Sequence, residues 1–293
     1  IRELPSGTYN SSAILDLADG SKIDIVCALT VDSDTGEITV DYEGTSEASP
    51  WGINVVMNYT HAYTTFCVRS VLNPDIPNNH GSLGPIKVKA PEGSIVNAVS
   101  PQPGTARHVV GMFLPNALLK ALAQIRPEAA MAEGSGAVWT MQVNGSHPDG
   151  SPFITAMFTY AGGVGARATK PGLSACSYPT GISAVPIEVV EASAPIRFHE
   201  KSLRKDSGGA GAQVGGLGQA IAFSVDTDRA WQLNAVTSRL ADAPLGVFGG
   251  EPGATGSFLL NGKAVDTQAR LNLTGTDVIR LELPGGGGYG AAE

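Results

Sequence analysis

A chain of 293 residues, 42% of them hydrophobic and 16% charged, can bury one large core or two ordinary ones and is not a disordered polymer. Its 27 acidic side chains against 19 basic ones leave a net charge of −8, which excludes the clustered basic face that nucleic acid or an anionic membrane surface requires. Three widely spaced cysteines, Cys27, Cys67 and Cys176, exclude a disulfide framework and a zinc knuckle and fit reduced thiols.

The 37 glycines and 19 prolines carry no three-residue period, so they mark turns between short elements and favour a β-rich architecture. No apolar run reaches the ~18 to 20 residues of a membrane span, and no charged-then-apolar signal opens the chain, so the expected location is the cytoplasm. The first residue is Ile1 rather than Met and a strand pattern starts at once; the expectation is a piece of a longer polypeptide.

Over residues 22–31 apolar side chains alternate (Ile23, Ile25, Cys27, Leu29, Val31), and the alternation resumes at Ile38, Val40 and Tyr42, which predicts a β-hairpin with one buried face. Beyond Trp51 the period lengthens: Val55, Tyr59, Tyr63, Phe66 and Val71 predict an amphipathic helix, with Asn54 as its N-cap and Pro74 beyond its end. An irregular polar stretch over residues 73–81 precedes a short strand at 85–90 and a turn at 91–94. Loops of this kind lie on a surface and often carry function. A second amphipathic helix is expected over Phe113, Ala117, Leu118, Ala121, Leu122 and Ile125, with Pro115 in its first turn or kinking it and Pro127 ending it.

From Val138 on, no further long helix is expected. Residues 139–143 and 153–160 predict a second hairpin, and further strands are expected at 185–190, 196–199, 219–226, 231–237, 257–260, 264–266 and 278–283, with Asn261-Gly262 as a type I′ turn. The expected fold is therefore α+β and β-dominated, with antiparallel or mixed sheets. A hairpin-plus-helices portion with two amphipathic helices spans residues 1–170, and a glycine-rich, mostly β portion spans residues 171–293.

The chain contains a literal G-x-G-x-x-G at Gly285, Gly287 and Gly290, but a dinucleotide site needs a helix directly behind the glycines, and only Ala291, Ala292 and Glu293 follow in this sequence. The run reads instead as a close backbone approach. Asp206-Ser207-Gly208-Gly209 resembles the nucleophile segment of trypsin-like serine proteases, yet the upstream His block of those enzymes is missing, which leaves Ser207 a weak nucleophile candidate. The glycines that continue to Gly218 describe backbone that turns tightly or crosses another segment.

His61, His80, His108, His147 and His199 show no metal-ligand spacing, so no metal is expected on this segment. His80 and His108 lie beside polar stretches, and Arg107, at the mouth of the second helix, suits an anion because a guanidinium pairs bidentately with carboxylate or phosphate. Lys201, Arg204 and Lys205 form another cationic cluster. Glu188 and Glu191, in an otherwise apolar segment, are expected to pair with Arg197 or Arg204.

Taken in order, several segments resemble the C-terminal half of hydantoinase B family proteins: Pro5-Ser6-Gly7-Thr8-Tyr9, Asp41-Tyr42-Glu43-Gly44-Thr45, Asp75-Ile76-Pro77-Asn78-Asn79-His80-Gly81, Ala90-Pro91-Glu92-Gly93-Ser94 and Thr105-Ala106-Arg107-His108. Gly162-Gly163-Val164-Gly165-Ala166, Val185-Pro186-Ile187-Glu188, residues 206–219 and the closing glycines continue the likeness. The family includes the corresponding region of 5-oxoprolinases and subunits of caprolactamase, acetone carboxylase and acetophenone carboxylase. The resemblance implies part of an ATP-dependent hydrolase that opens a small cyclic amide (hydantoin, oxoproline or lactam), about twice this size and working in a hetero-oligomer with a hydantoinase A-type subunit. It places ATP and Mg on that partner, a divalent metal held by His and Asp in the preceding half of the subunit, and no cofactor on this segment.

The catalytic residues stay unassigned. Asn79, Arg107 and His108 are candidates for polar groups near substrate, and Asp206, Ser207, Gly208 and Gly209 for a glycine loop at a subunit contact. Where the family often has a basic-aromatic-Arg group, Ala212-Gln213-Val214 stand here, which removes any anion-binding role of that Arg. The block Tyr178-Pro179-Thr180-Gly181 leans to the hydantoinase-like branch. A ketone carboxylase subunit and a non-catalytic assembly module are the alternatives.

Overall fold

The computed structural model describes residues 1–17, 19–136, 138–265 and 271–292. It begins with β1 (Gly7–Asp16), β2 (Lys22–Asp32) and β3 (Glu37–Asp41), followed by α1 (Met57–Leu72), α2 (His80–Leu83), β4 (Ile86–Lys89), α3 (His108–Gly111) and α4 (Leu114–Ala123). The alternation at residues 22–31 does what its period predicts: β2 and β3 pair antiparallel, with Leu29 opposite Val40 and Val31 opposite Ile38, and these four side chains are buried with Ile23, Ile25 and Cys27. Burial of each Ile, Leu or Val side chain there contributes about 1.5–3 kcal/mol. β4 joins β3 in parallel, giving the order β1-β2-β3-β4.

α4 packs on β2, and α1 packs on α4 and β4. The buried stripe of α1 carries Thr60 and Thr64, whose hydroxyls are satisfied locally. Thr60 Oγ1 donates to the Val96 carbonyl at 2.5 Å, Thr64 Oγ1 donates to the Thr60 carbonyl at 2.7 Å, and the Tyr42 hydroxyl lies 2.7 Å from Thr64 Oγ1. Asn54 does not cap α1. Val56 holds the N-cap position without a side-chain bond, while the buried Asn54 carboxamide accepts from Ser49 N and donates to the carbonyls of Ser49, Trp51 and Pro103. The expected second helix is seen as α4, preceded by the separate single turn α3, and Pro115 falls in the first turn of α4, where no amide donor is needed.

The remaining elements are β5 (Val138–Ser146), β6 (Pro152–Ala161), α5 (Ile187–Ser193), β7 (Ile196–Leu203), β8 (Gln219–Val225), β9 (Trp231–Val236), β10 (Ser257–Leu260), β11 (Lys263–Ala264), β12 (Leu271–Leu273) and β13 (Ile279–Glu282). They form a sheet of order β11-β10-β13-β8-β7 and another of order β12-β9-β5-β6. One core draws on both sheets, with Trp139, Met141 and Trp231 from the second and Ile221, Phe223 and Leu281 from the first. Asn261 and Gly262 have φ of 51° and 78°, the two positive values of the expected hairpin turn between β10 and β11.

Residues 185–190, expected as a strand, instead lead into α5. Pro186 takes the N-cap, Glu188 lies in the first turn, and Val190 is the buried side chain that anchors the helix. The strand expected at 264–266 is seen as β11, and Asp266 lies outside the described residues. The expected ion pairs of Glu188 and Glu191 are replaced. Arg197 pairs with Asp226 at 2.6 Å, Arg204 lies 3.7 Å from Glu282, and Glu191 Oε1 accepts from Phe198 N.

The chain divides into two compact units. One comprises Ile1–Leu15, Lys22–Ala132 and Arg167–Thr169, and the other comprises Asp16–Ser21, Glu133–Ala166 and Lys170–Glu293. The β5–β6 hairpin, placed by sequence in the portion 1–170, belongs to the second unit because β5 pairs along its length with β9. Within that unit Glu133 and Arg239, both 2% exposed, form a 2.7 Å ion pair, and the Asp16 carboxylate accepts from the amides of Arg239, Leu240 and Ala241. Among the described residues no helix is long and apolar enough to cross a membrane.

The glycine-rich segments of the second unit form neither helix nor sheet. Gly285 N donates to Ala254 O, Gly286 N to Gly216 O, Gly287 N to Glu133 O and Gly288 N to Glu251 O, all between 2.9 and 3.1 Å. Three consecutive amides thus point to three different neighbours and the fourth returns to the first. This is the threefold repeat of an extended polyproline-type chain, which makes no hydrogen bonds within itself. A Cβ on any of these four would overlap a backbone carbonyl, that of Ser207, Val164, Leu245 or Ala210 respectively. Glycine is therefore the residue that lets the segments approach.

Candidate functional site

The structure sorts the sequence candidates into three places. Asn79, exposed, is the N-cap of α2: its Oδ1 accepts from Ser82 N at 3.0 Å while Ser82 Oγ accepts from Asn79 N at 3.1 Å. The reciprocal cap, and a further donation from Asn79 Nδ2 to the Pro77 carbonyl, engage its carboxamide locally.

Arg107 and His108 come together where α3 docks on the first turns of α1. Gly111 makes that docking possible, since a Cβ there would overlap the Tyr59 ring. Tyr59 and Tyr63, four residues apart, stack with ring centroids 4.4 Å apart, and their faces are only half-buried. Sequence periodicity put both on the core face of the helix; the signal that they form a rim is their i, i+4 aromatic pairing. Arg107 is exposed, and among the described residues its Nη1 reaches only the Gly104 carbonyl, at 3.4 Å, so its charge is available to a ligand. The helix it heads is a single turn of four residues, which withdraws the helix-mouth argument for an anion there.

His108 Nε2 is shut off from solvent and has no hydrogen-bond partner among the described residues. Burial, and second the Arg107 charge, pull its imidazole below the usual histidine range, so the ring is neutral at pH 7. Burial first, and then the Tyr63 hydroxyl beside it, push the Tyr59 phenol up. The cluster offers an exposed cation, a neutral imidazole and phenolic hydroxyls. Tyr59 and Arg69 lie ten positions apart on α1, roughly 15 Å at 1.5 Å per residue. Arg69 donates to Asn78, next to Asn79, so Asn79 lies at the other end of the helix from Arg107 and His108.

The third place is the glycine loop. Asp206 is exposed with φ of 57°, and Ser207 is 1% exposed. Ser207 Oγ donates to the Arg204 carbonyl at 2.7 Å and accepts from Gly218 N at 2.9 Å, so its hydroxyl is committed to holding backbone. A Cβ on Gly208 would overlap the Gly215 carbonyl, and one on Gly209 the Glu251 carbonyl. Val214 is exposed. Among the described residues no three His, Cys, Asp or Glu side chains gather into a possible metal site.

The fold recurs in solved structures. Nucleotide-free acetone carboxylase superposes with a TM-score of 0.84 at 18% identity, over 99% of this chain and 46% of that one. The ATP-dependent caprolactamase of Pseudomonas jessenii gives 0.82 at 24% identity, over 99% and 52%. In sequence, an uncharacterised protein of Methanocaldococcus jannaschii is 33% identical over 90% of this chain and 46% of its own length. A Pseudomonas sp. protein named as the candidate B component of a D-/L-hydantoinase is 29% identical over 99% of this chain and 51% of its own, and 5-oxoprolinase 1 of Arabidopsis thaliana is 27% identical over 99% and 22%. The chain thus spans from about a fifth to half of the length of these relatives. The profile of the hydantoinase B/oxoprolinase family matches residues 1–292, and the chain belongs to that family.

Proposed function

We propose that this chain forms part of an ATP-dependent hydrolase that opens the ring of a small cyclic amide such as a hydantoin, 5-oxoproline or a lactam. The observation that carries this reading is the family match across residues 1–292, and relatives bearing hydantoinase and 5-oxoprolinase names support it. A hydantoinase A-type subunit would hold ATP and Mg, and the preceding half of this subunit a divalent metal, in a cytoplasmic hetero-oligomer. ATP supplies phosphoryl activation of the amide carbonyl. The role of this chain's residues is to bind and orient. Arg107 offers a cation to the negative charge that grows on the opening amide, and the neutral His108 beside it adds no competing charge.

One observation favours a second reading, an assembly module whose catalysis lies elsewhere: Asn79 and Ser207 both spend their polar groups on local backbone. The acetone carboxylase likeness, at 18% identity, supports a ketone carboxylase no further than the fold. The test is Arg107→Ala in the full subunit with its ATP-binding partner. The hydrolase reading expects kcat/KM for ring opening to fall about tenfold or more, the loss of one charge-assisted contact, with unchanged melting. Unchanged kinetics remove Arg107 from the site and favour the assembly module.

A further inference from the structure

The C-terminal end of α1 borders a cavity of about 330 Å³ with an uneven charge pattern. Two guanidinium side chains, Arg2 and Arg69, line it and no carboxylate does, although the whole chain carries a net charge of −8. Its walls are otherwise largely apolar, with Val68, Leu72, Pro85 and Ile86. Arg69 is 9% exposed. It donates to Asn78 Oδ1 and the Ile76 carbonyl, two neutral acceptors, and has no ion pair among the described residues.

A guanidinium has five N–H donors, so three remain. A buried charge left without a counter-charge is costly, and the C-terminal dipole of α1 offsets only part of it. A second hollow of about 350 Å³ shares Arg69, Asn73 and Ile76, so the charged side chain stands between two open spaces rather than in packed core. The volume lies at the small end of the range for metabolite sites.

We propose that this cavity binds a small organic acid, its carboxylate held by Arg69 and Arg2 and its apolar body against Val68, Leu72 and Ile86. A carboxylate supplies what the pocket lacks, a charge of opposite sign that can pair bidentately with Arg69. The site rests on this geometry. Its identification with the acidic cyclic amide or the opened acid rests on the hydrolase reading above.

The test is methyl NMR on the full chain, following Val68, Leu72 and Ile86 during titration with 5-oxoproline and with 2-pyrrolidinone, the same ring without the carboxylate. The expected result is saturable shifts with 5-oxoproline and binding about tenfold weaker, or none, with 2-pyrrolidinone. Arg69→Gln should remove that preference. Because Arg69 also holds Ile76 and Asn78 and its loss can disturb folding, Arg2→Glu on the exposed rim serves as the second variant and should weaken 5-oxoproline about fivefold. No saturable shift, equal binding of the two rings, or an unaffected Arg2→Glu variant overturns the proposal. Ring opening by the assembled complex without any preference for acidic rings overturns the identification of the bound acid with the substrate and leaves the hydrolase reading standing. Binding without ring opening does the reverse.

Discussion

Replacing Gly286 by Ala adds one methyl group to the centre of the glycine bundle. The new Cβ would overlap the Val164 carbonyl, with the Gly165 amide nitrogen 2.8 Å away, and both are backbone that cannot rotate aside. Overpacking of this kind costs about 1–3 kcal/mol. Displacing the segment also strains two hydrogen bonds, Gly286 N to Gly216 O at 2.9 Å and Gly209 N to Gly286 O at 2.8 Å, each worth about 1 kcal/mol. The sum, about 3–5 kcal/mol, is a large share of the stability of an ordinary domain. Scanning calorimetry should show the transition of the second unit lowered by about 6–20 °C. Gly52→Ala is the matched control, because its Cβ would meet nothing closer than 3.6 Å and its stability change should stay within about 1 kcal/mol. Equal melting of Gly286→Ala and wild type would refute the bundle's packing as described.

Other outcomes follow from named groups. His108 has a lowered folded-state pKa, so the unfolded chain binds the extra proton: its contribution to stability is complete above pH 6.5 and is lost as pH falls through the folded value, which a pH series of melts with and without His108→Gln should show. Arg107→Ala should raise the His108 pKa, read by NMR titration. Glu133→Gln should cost about 3–5 kcal/mol by removing the carboxylate charge 2.7 Å from the buried Arg239 guanidinium, whereas Glu133→Leu with Arg239→Met together should cost less in urea unfolding. Burial pushes the Cys27 thiol up to about 12 and raises Cys67 as well, so native-state alkylation at pH 8 should label Cys176 first. A fluorophosphonate probe should leave Ser207 unlabelled.

The sequence carried the strands where one face is buried, because the two-residue period of β2 and β3 has a single structural reading. α5 was hidden by its β-branched neighbours, Val185, Val189 and Val190, which suggest a strand; Pro186 and Glu188 were the helix-start signals that outweighed them. β12, three residues long, is too short to show a period. The charge partners were illegible for another reason: Arg197 with Asp226, and Arg239 with Glu133, join positions that only the folded chain brings together. Glycine density marked the bundle as close backbone approach, but the threefold pattern depends on segments up to about 150 residues apart, from Glu133 to Gly287. Arg107 and His108 were legible as a polar pair. Their aromatic companions Tyr59 and Tyr63 were signalled only by their i, i+4 spacing, and the Arg69 charge, without an ion pair among the described residues, emerged only from burial.

The most direct measurement is a coupled assay of the full subunit with its ATP-binding partner, following ADP release and product by mass spectrometry with 5-oxoproline, hydantoin, caprolactam and, with bicarbonate, acetone. ADP should form in step with ring-opened acid from one of the cyclic amides, with no carboxylated ketone. ADP release tied to acetone carboxylation, or no ATP-dependent opening of any of the rings, would contradict the assignment to cyclic-amide hydrolysis.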